Sequence, residues 1–146
     1  MSRVLVDTNA YPALIAGGQW IADALARSEA VLLSPVVIGE LLDGFLSGSR
    51  NAENRRTLAR FRGKPRTVTV PITDETAEWF AQIKQGLRAK GRPIPINDVW
   101  IAASCMEHGA VLLSLDSHFD EIDGLRRVVL RPAQRALYRG VIAATS

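Results

Sequence analysis

The chain has 146 residues, of which 47% are hydrophobic and 23% are charged, with a formal net charge of +3. These values are typical of one globular domain and give no sign of a disordered chain. The apolar runs are far shorter than the roughly 18 residues of a membrane-spanning helix, and the first residues lack a signal-peptide core. A single cysteine excludes an internal disulfide. We therefore expect a cytoplasmic protein without membrane contact.

The first predicted strand leads directly into polar residues. An apolar run over residues 4–6 is followed by Asp7, Thr8 and Asn9. Continuous apolar runs are typical of strands that are buried on both faces. Ligands in an open α/β sheet collect outside the carboxyl ends of its strands. The sequence therefore predicts Asp7 at a ligand-binding edge.

The next segments predict helices over residues 10–16, 19–27 and 35–46, with a second buried strand over residues 30–33. Ser34 and Pro35 have the residue types of an N-cap and a first helical position. Glu40 lies at the edge of the apolar stripe of the third helix. It is either an ordinary solvated glutamate or a site residue that points inward.

Residues 50–66 form the densest basic region of the chain. This region is either a charged helix that covers the core or the electrostatic footprint of a polyanion. Arginine supplies most of the positive charge, and its planar guanidinium suits phosphate better than a lysine ammonium does. The arginines that would contact RNA are Arg50, Arg55, Arg56, Arg60 and Arg62.

The second half of the chain continues the alternation of strands and helices. Asn97 is a candidate N-cap, and Asp98 heads the buried stripe of the following helix, either as a helix-end charge or as an inward-facing site residue. Asp116 is the second aspartate that directly follows an apolar strand. We predict strands over residues 67–70, 110–115 and 127–130, helices over 73–90 and 98–108, and a helical turn over 117–122.

This alternation predicts a mostly parallel sheet between helices.

Two unit charges about 4 Å apart repel by about 4 kcal/mol at an effective dielectric near 20. Four buried carboxylates would therefore need a cation or raised pKa values. Oxygen ligands favour Mg²⁺, and an arginine-rich surface beside it favours phosphodiester hydrolysis by a metal-activated water. The sequence contains no G-x-S-x-G motif and no glycine-rich phosphate loop.

Four segments, taken in order, resemble the acidic motifs of PIN-domain ribonucleases: residues 4–9, 34–40, 95–103 and 112–119. Their order, their placement on strands and helices and the length of the chain resemble VapC-type toxins of bacterial toxin–antitoxin pairs. The resemblance implies a three-layer α/β/α fold over residues 1–130, with residues 131–146 as a C-terminal extension. That extension is either solvated or packed on the domain, or it contacts RNA or a partner. The resemblance also implies a homodimeric, Mg²⁺-dependent endoribonuclease (Mn²⁺ as a possible substitute) that a cognate antitoxin inhibits.

The same resemblance assigns roles to individual residues. The acidic cluster would be Asp7, Glu40, Asp98 and Asp116, with Asp7 and Asp98 favoured as direct metal ligands. Thr8 and Ser114 match hydroxyl positions that orient the carboxylates, and Asn9 matches a supporting polar position.

At one position this chain differs from many members of the family that it resembles, and this position bears on whether a second metal ion binds. Many relatives carry a further aspartate two residues after the position of Asp116, and this chain has His118 there. We therefore expect one firmly bound Mg²⁺ and a second that arrives, if at all, with RNA.

Two other functions stay open at this point. The chain could be a non-catalytic RNA- or protein-binding PIN module. It could also be a haloacid-dehalogenase-like phosphatase, although that chemistry requires a second aspartate where this chain has Asn9. Transfer, ribosomal and messenger RNA are all compatible with the predicted basic rim.

Overall fold

A computed structural model describes residues 2–17 and 19–128 of the chain. The strands are β1 (Arg3–Val6), β2 (Ala30–Leu33), β3 (Thr67–Thr69), β4 (Val111–Leu113) and β5 (Arg127–Val128). The helices are α1 (Ala10–Ile15), α2 (Gln19–Ala26), α3 (Pro35–Ser47), α4 (Asn51–Arg62), α5 (Asp74–Lys90) and α6 (Ile96–Glu107), and a 3₁₀ turn spans Ser117–Glu121.

The five strands form one sheet in the order β3-β2-β1-β4-β5, and every pair of neighbours is parallel. The central strand β1 buries three successive residues, Val4, Leu5 and Val6, at 4%, 0% and 0% exposure. Successive side chains of a strand point to opposite faces, so both faces of the sheet are covered by helices. The predicted three-layer α/β/α fold with a mostly parallel sheet is confirmed.

The order of the strands reverses at β1. The chain adds β2 and β3 on one side of β1 and then crosses to add β4 and β5 on the other side. The backbone N–H of Asp7 donates to the carbonyl of Leu113 at 3.0 Å, which continues the β1–β4 pairing past the end of β1. Such a switch point leaves a crevice at the carboxyl ends of the strands. Asp7 lies at this crevice.

The N-terminus of α3 agrees with the prediction, whereas that of α6 differs. The Ser34 hydroxyl accepts the backbone N–H of Val36 at 3.1 Å, with proline at the first helical position. The prediction that Asn97 is the N-cap of the next helix is wrong. The Pro95 carbonyl already accepts the N–H of Asp98 at 3.0 Å, so Asn97 lies inside the first turn. Asp98 is therefore in the first turn of α6, at the positive end of the helix dipole.

Other predicted bounds differ by a few residues at the ends of elements. The strand predicted over residues 110–115 is observed over Val111–Leu113. The strand predicted over residues 127–130 is observed at Arg127–Val128, and its residues 129–130 lie outside the described residues together with the predicted extension 131–146. In the described part of the chain, every helix is too short or too polar to cross a membrane.

Candidate metal centre

Asp7 is a buried carboxylate, only 4% exposed, at the carboxyl end of β1. One of its oxygens accepts the backbone N–H of Thr8 at 2.7 Å, and the other accepts the hydroxyl of Ser114 at 2.6 Å. Burial raises the pKa of Asp7 to about 7, the two hydrogen bonds oppose this rise, and the charges of Asp98 and Glu40 add to it. Asp98 and Glu40 are therefore close enough to Asp7 for their charges to raise its pKa.

Glu40 is connected to Asp7 through Thr8. Glu40 is partly buried on α3, and its Oε1 accepts the hydroxyl of Thr8 at 2.6 Å. Thr8 thus donates its backbone N–H to Asp7 and its hydroxyl to Glu40. Of the two interpretations open from the sequence, the structure supports the one in which Glu40 points toward the crevice.

Asn9 and Ser114 join the ends of β1 and β4. The Asn9 side-chain oxygen accepts the backbone N–H of Leu115 at 2.9 Å. Ser114 donates its hydroxyl to Asp7 and accepts the backbone N–H of Asp116 at 3.0 Å. The side chains that follow β1 therefore fix the loop that carries Asp116.

The second half of the site combines two carboxylates with an imidazole. The Nδ1 of His118 lies 2.9 Å from Oδ2 of Asp98 and 3.1 Å from Oδ1 of Asp116. One potential ligand atom from each of these three residues lies within 4.8 Å of the others. Burial raises the pKa of Asp98, and the hydrogen bond from His118 opposes this rise. The same hydrogen bond raises the pKa of His118.

The structure thus brings Asp98 and Asp116 into one group, with Asp7 and Glu40 beside it. From the sequence we treated His118 only as the loss of an acid, whereas its imidazole contacts both carboxylates. His118 lies in a predicted turn only two residues after Asp116, and this closeness in sequence could have indicated that it belongs to the site.

The predicted basic residues lie on or next to α4. Arg50 lines a groove of about 480 Å³ between α1, α3 and α4, and Thr8 and Glu40 line the same groove. The side chains of Arg55, Arg60 and Arg62 hydrogen-bond to Asn51, Thr57 and Thr69, respectively, at 3.0 to 3.3 Å on the protein surface. Among the five predicted arginines, the structure places Arg50 in the groove beside the carboxylates.

The donors of this site fit a hard divalent cation. Carboxylate oxygens are the protein ligands that Mg²⁺ prefers, and Asp7, Glu40, Asp98 and Asp116 supply them from four segments of the chain. The raised pKa values of Asp7 and Asp98 have burial as their main cause and neighbouring carboxylates as a second cause. A cation among these oxygens would counter both effects because it favours the ionised form of each acid.

Comparisons with known proteins indicate the family of the chain. The model of the PIN domain family matches residues 4–125. Ribonuclease VapC5 of Mycobacterium tuberculosis is 27% identical over 124 residues, which cover 85% of this chain and 90% of that protein. Ribonuclease VapC4 of the same organism is 29% identical over 126 residues, which cover 80% of this chain and 88% of that protein.

The fold is also similar to solved structures. One is VapBC2 from Rickettsia felis bound to a DNA fragment from their promoter, with a TM-score of 0.77 and 19% identity. The match covers 88% of this chain and 99% of the matched chain. At this identity the likeness shows the fold. The family predicted from the four acidic segments is confirmed: this chain belongs to the PIN domain family.

Proposed function

We propose that this chain is a Mg²⁺-dependent endoribonuclease and the toxin of a toxin–antitoxin pair. The observation that supports the proposal is the gathering of four carboxylates at the switch point of a parallel sheet, with Asp7 buried among them. Structural ion pairs usually join opposite charges, whereas these acids repel one another. A cation site explains why the fold places them together.

In this proposal Asp7 and Asp98 bind Mg²⁺ directly, and Glu40 and Asp116 complete the acidic cluster. When bound, Mg²⁺ activates a water for attack on phosphorus and stabilises charge on the phosphate. Thr8 holds Asp7 and Glu40 in place, and Ser114 holds Asp7 and Asp116, through the hydrogen bonds described above.

The groove beside the carboxylates would receive the RNA. Arg50 offers a guanidinium to a phosphate at its rim, while Thr8 and Glu40 connect the groove to the metal centre. The other predicted arginines, Arg55, Arg56, Arg60 and Arg62, would extend the basic surface along α4. Phosphate contacts of this kind position a nucleic acid without reading its sequence.

The proposed assembly follows from the family. Two similar proteins are named ribonucleases and a similar fold occurs in a VapBC complex, which supports a cognate antitoxin as the partner. We propose a cytoplasmic homodimer. Residues 1–130 would form the nuclease domain and residues 131–146 a C-terminal extension.

The two alternatives are less consistent with the site. A non-catalytic binding module would have no use for four mutually repelling carboxylates. A haloacid-dehalogenase-like phosphatase would need an acid at the position of Asn9, and the side-chain oxygen of Asn9 instead accepts the N–H of Leu115. Membership of the PIN domain family also argues against the phosphatase.

Cleavage of total RNA by the purified protein tests the proposal. We expect cleavage with Mg²⁺, no cleavage with EDTA, and a loss of about 10- to 100-fold or more in Asp98→Asn, since the variant removes the negative charge of a proposed direct ligand. Growth inhibition on expression should be lost in parallel. Unchanged cleavage by a folded Asp98→Asn variant, or full cleavage in EDTA, would refute the proposal.

Asp74→Asn is a matched control for the lost charge. Asp74 is exposed at the start of α5, and Thr76 in the same turn donates to Glu107 at 2.6 Å. Glu107 and Asp98 are nine residues apart on α6, or about 14 Å along the helix axis. This variant removes the same charge far from the proposed centre, so its cleavage should equal that of the wild type.

A further inference from the structure

His118 lies where a solvent-borne cation can reach it. Its side chain is 47% exposed, and the side chains of Asp98 and Asp116 are 13% and 30% exposed. The backbone N–H of His118 also donates to Oδ1 of Asp116 at 2.9 Å. This main-chain bond fixes the turn, so the backbone of His118 stays next to Asp116.

The distances around the imidazole suit metal coordination as well as hydrogen bonding. Neighbouring ligands of an octahedral ion, each about 2.1 Å from it, lie about 3.0 Å apart, and opposite ligands lie about 4.2 Å apart. The Nδ1 of His118 is 2.9 Å and 3.1 Å from the two carboxylate oxygens, which matches neighbouring positions. One ion could therefore contact all three residues, whose ligand atoms lie within 4.8 Å of one another.

We propose that His118 is a nitrogen ligand of a second divalent-cation site, formed with Asp98 and Asp116, that takes a first-row transition metal ion such as Mn²⁺ in preference to Mg²⁺. Imidazole nitrogen suits transition metals, whereas Mg²⁺ prefers oxygen ligands. The inference rests on the proposed function because Asp98 is shared with the Mg²⁺ centre. The replacement of an acid by His118 thus changes which metal the second site selects instead of removing the site.

The chain contains only two histidines, His108 and His118, which makes the nitrogen ligand traceable. His108 is the C-cap of α6 and lies ten residues from Asp98, or about 15 Å along the helix. Pulsed electron paramagnetic resonance of the Mn²⁺-loaded protein should detect coupling to ¹⁴N of an imidazole in the wild type and in His108→Asn. His118→Asn should lose this coupling.

Calorimetric titrations give a second readout. Mn²⁺ affinity should fall by about 10-fold or more in His118→Asn, in line with losses seen when metal sites lose a supporting group. Mg²⁺ affinity at the first site should fall by a smaller factor than Mn²⁺ affinity, because Asp98 loses a hydrogen-bond partner but remains a ligand. His118→Asp, which restores an all-oxygen site, should bind Mn²⁺ without ¹⁴N coupling and with a smaller preference over Mg²⁺. Because His118 is half exposed, both variants should fold, which circular dichroism checks.

Two outcomes separate the failure of this inference from that of the proposed function. Mn²⁺ binding without ¹⁴N coupling and with equal affinity in His118→Asn would overturn the role of His118 while leaving the Mg²⁺ centre in place. In that case His118 is only an ion-pair partner of Asp98. If the wild type binds neither Mn²⁺ nor Mg²⁺, both proposals are wrong. A loss of Mg²⁺ affinity in Asp7→Asn shows that the first site exists whatever His118 does.

Discussion

Replacing Asp7 by asparagine should change how the stability of the metal-free protein depends on pH. Burial raises the pKa of this carboxyl from 3.8 to about 7, so the folded protein disfavours its ionised form. Asparagine has nearly the same size and carries no charge. Its oxygen can accept the N–H of Thr8, and its amide can donate to the oxygen of Ser114, so the two existing hydrogen bonds have replacements.

The sign and size of the effect follow from the pKa. Between about pH 4 and pH 7 the unfolded chain releases the Asp7 proton while the folded protein keeps it, so the free energy of unfolding decreases as the pH rises. Above pH 7 both states become ionised and the decrease levels off. A shift of about 3 units corresponds to about 4 kcal/mol in all, of which roughly 2 to 3 kcal/mol falls between pH 5 and pH 8. In a domain of this size that is about 5 to 10 °C in Tm.

Urea unfolding in EDTA between pH 5 and pH 8 measures this effect. From pH 5 to pH 8 the wild type should lose roughly 2 to 3 kcal/mol more of its free energy of unfolding than Asp7→Asn does. Asp23→Asn, which removes an exposed carboxylate of α2, should follow the wild type. At pH 8, Mg²⁺ should stabilise the wild type more than Asp7→Asn because the ligand binds the folded state. Parallel pH curves for the wild type and Asp7→Asn would refute the reasoning.

Two further substitutions test the surroundings of the centre. Ser114→Ala removes the hydroxyl that donates to Asp7 and accepts from Asp116, so it should lower the free energy of unfolding by about 1 to 3 kcal/mol. It should also raise the pKa of Asp7 and move the acidic limb of the pH–cleavage profile upward, and an unchanged profile would contradict this role. Arg50→Ala should weaken RNA binding and reduce the salt dependence of log Kd by about one unit. An unchanged salt slope would place the RNA outside the groove.

The acids at strand ends were predictable because the signal is local. Asp7 directly follows an apolar run and Asp116 follows one that only Ser114 interrupts, and the carboxyl ends of parallel strands meet at one edge of a sheet. The alternation of strands and helices made the parallel sheet predictable in the same way. Helical periodicity indicated only that Glu40 lies at the edge of a buried stripe and that Asp98 heads one, and two interpretations of each stayed open until the neighbouring segments were placed.

The remaining features depend on contacts between distant segments. The hydrogen bond between His118 and Asp98 joins a turn to a helix residue 20 positions earlier in the chain. A local sequence pattern cannot predict such a contact. The hydroxyl of Ser114 bridges residues 7 and 116, and only the family resemblance, not a local pattern, indicated this role. The wrong N-cap at Asn97 has a different cause. Pro95, two residues earlier, is also a residue type compatible with a helix start, and propensity alone ranked the asparagine above it.

The bridge between the ends of β1 and β4 has a consequence for synthesis of the chain. A ribosome makes Asp7 more than 100 residues before it makes Ser114 and Asp116. Until β4 emerges, β1 lacks its neighbour on that side and Asp7 lacks the hydroxyl that binds it. Any activity that requires all four carboxylates is therefore delayed until Asp116 has been translated. Premature termination before residue 114 would leave an inactive fragment.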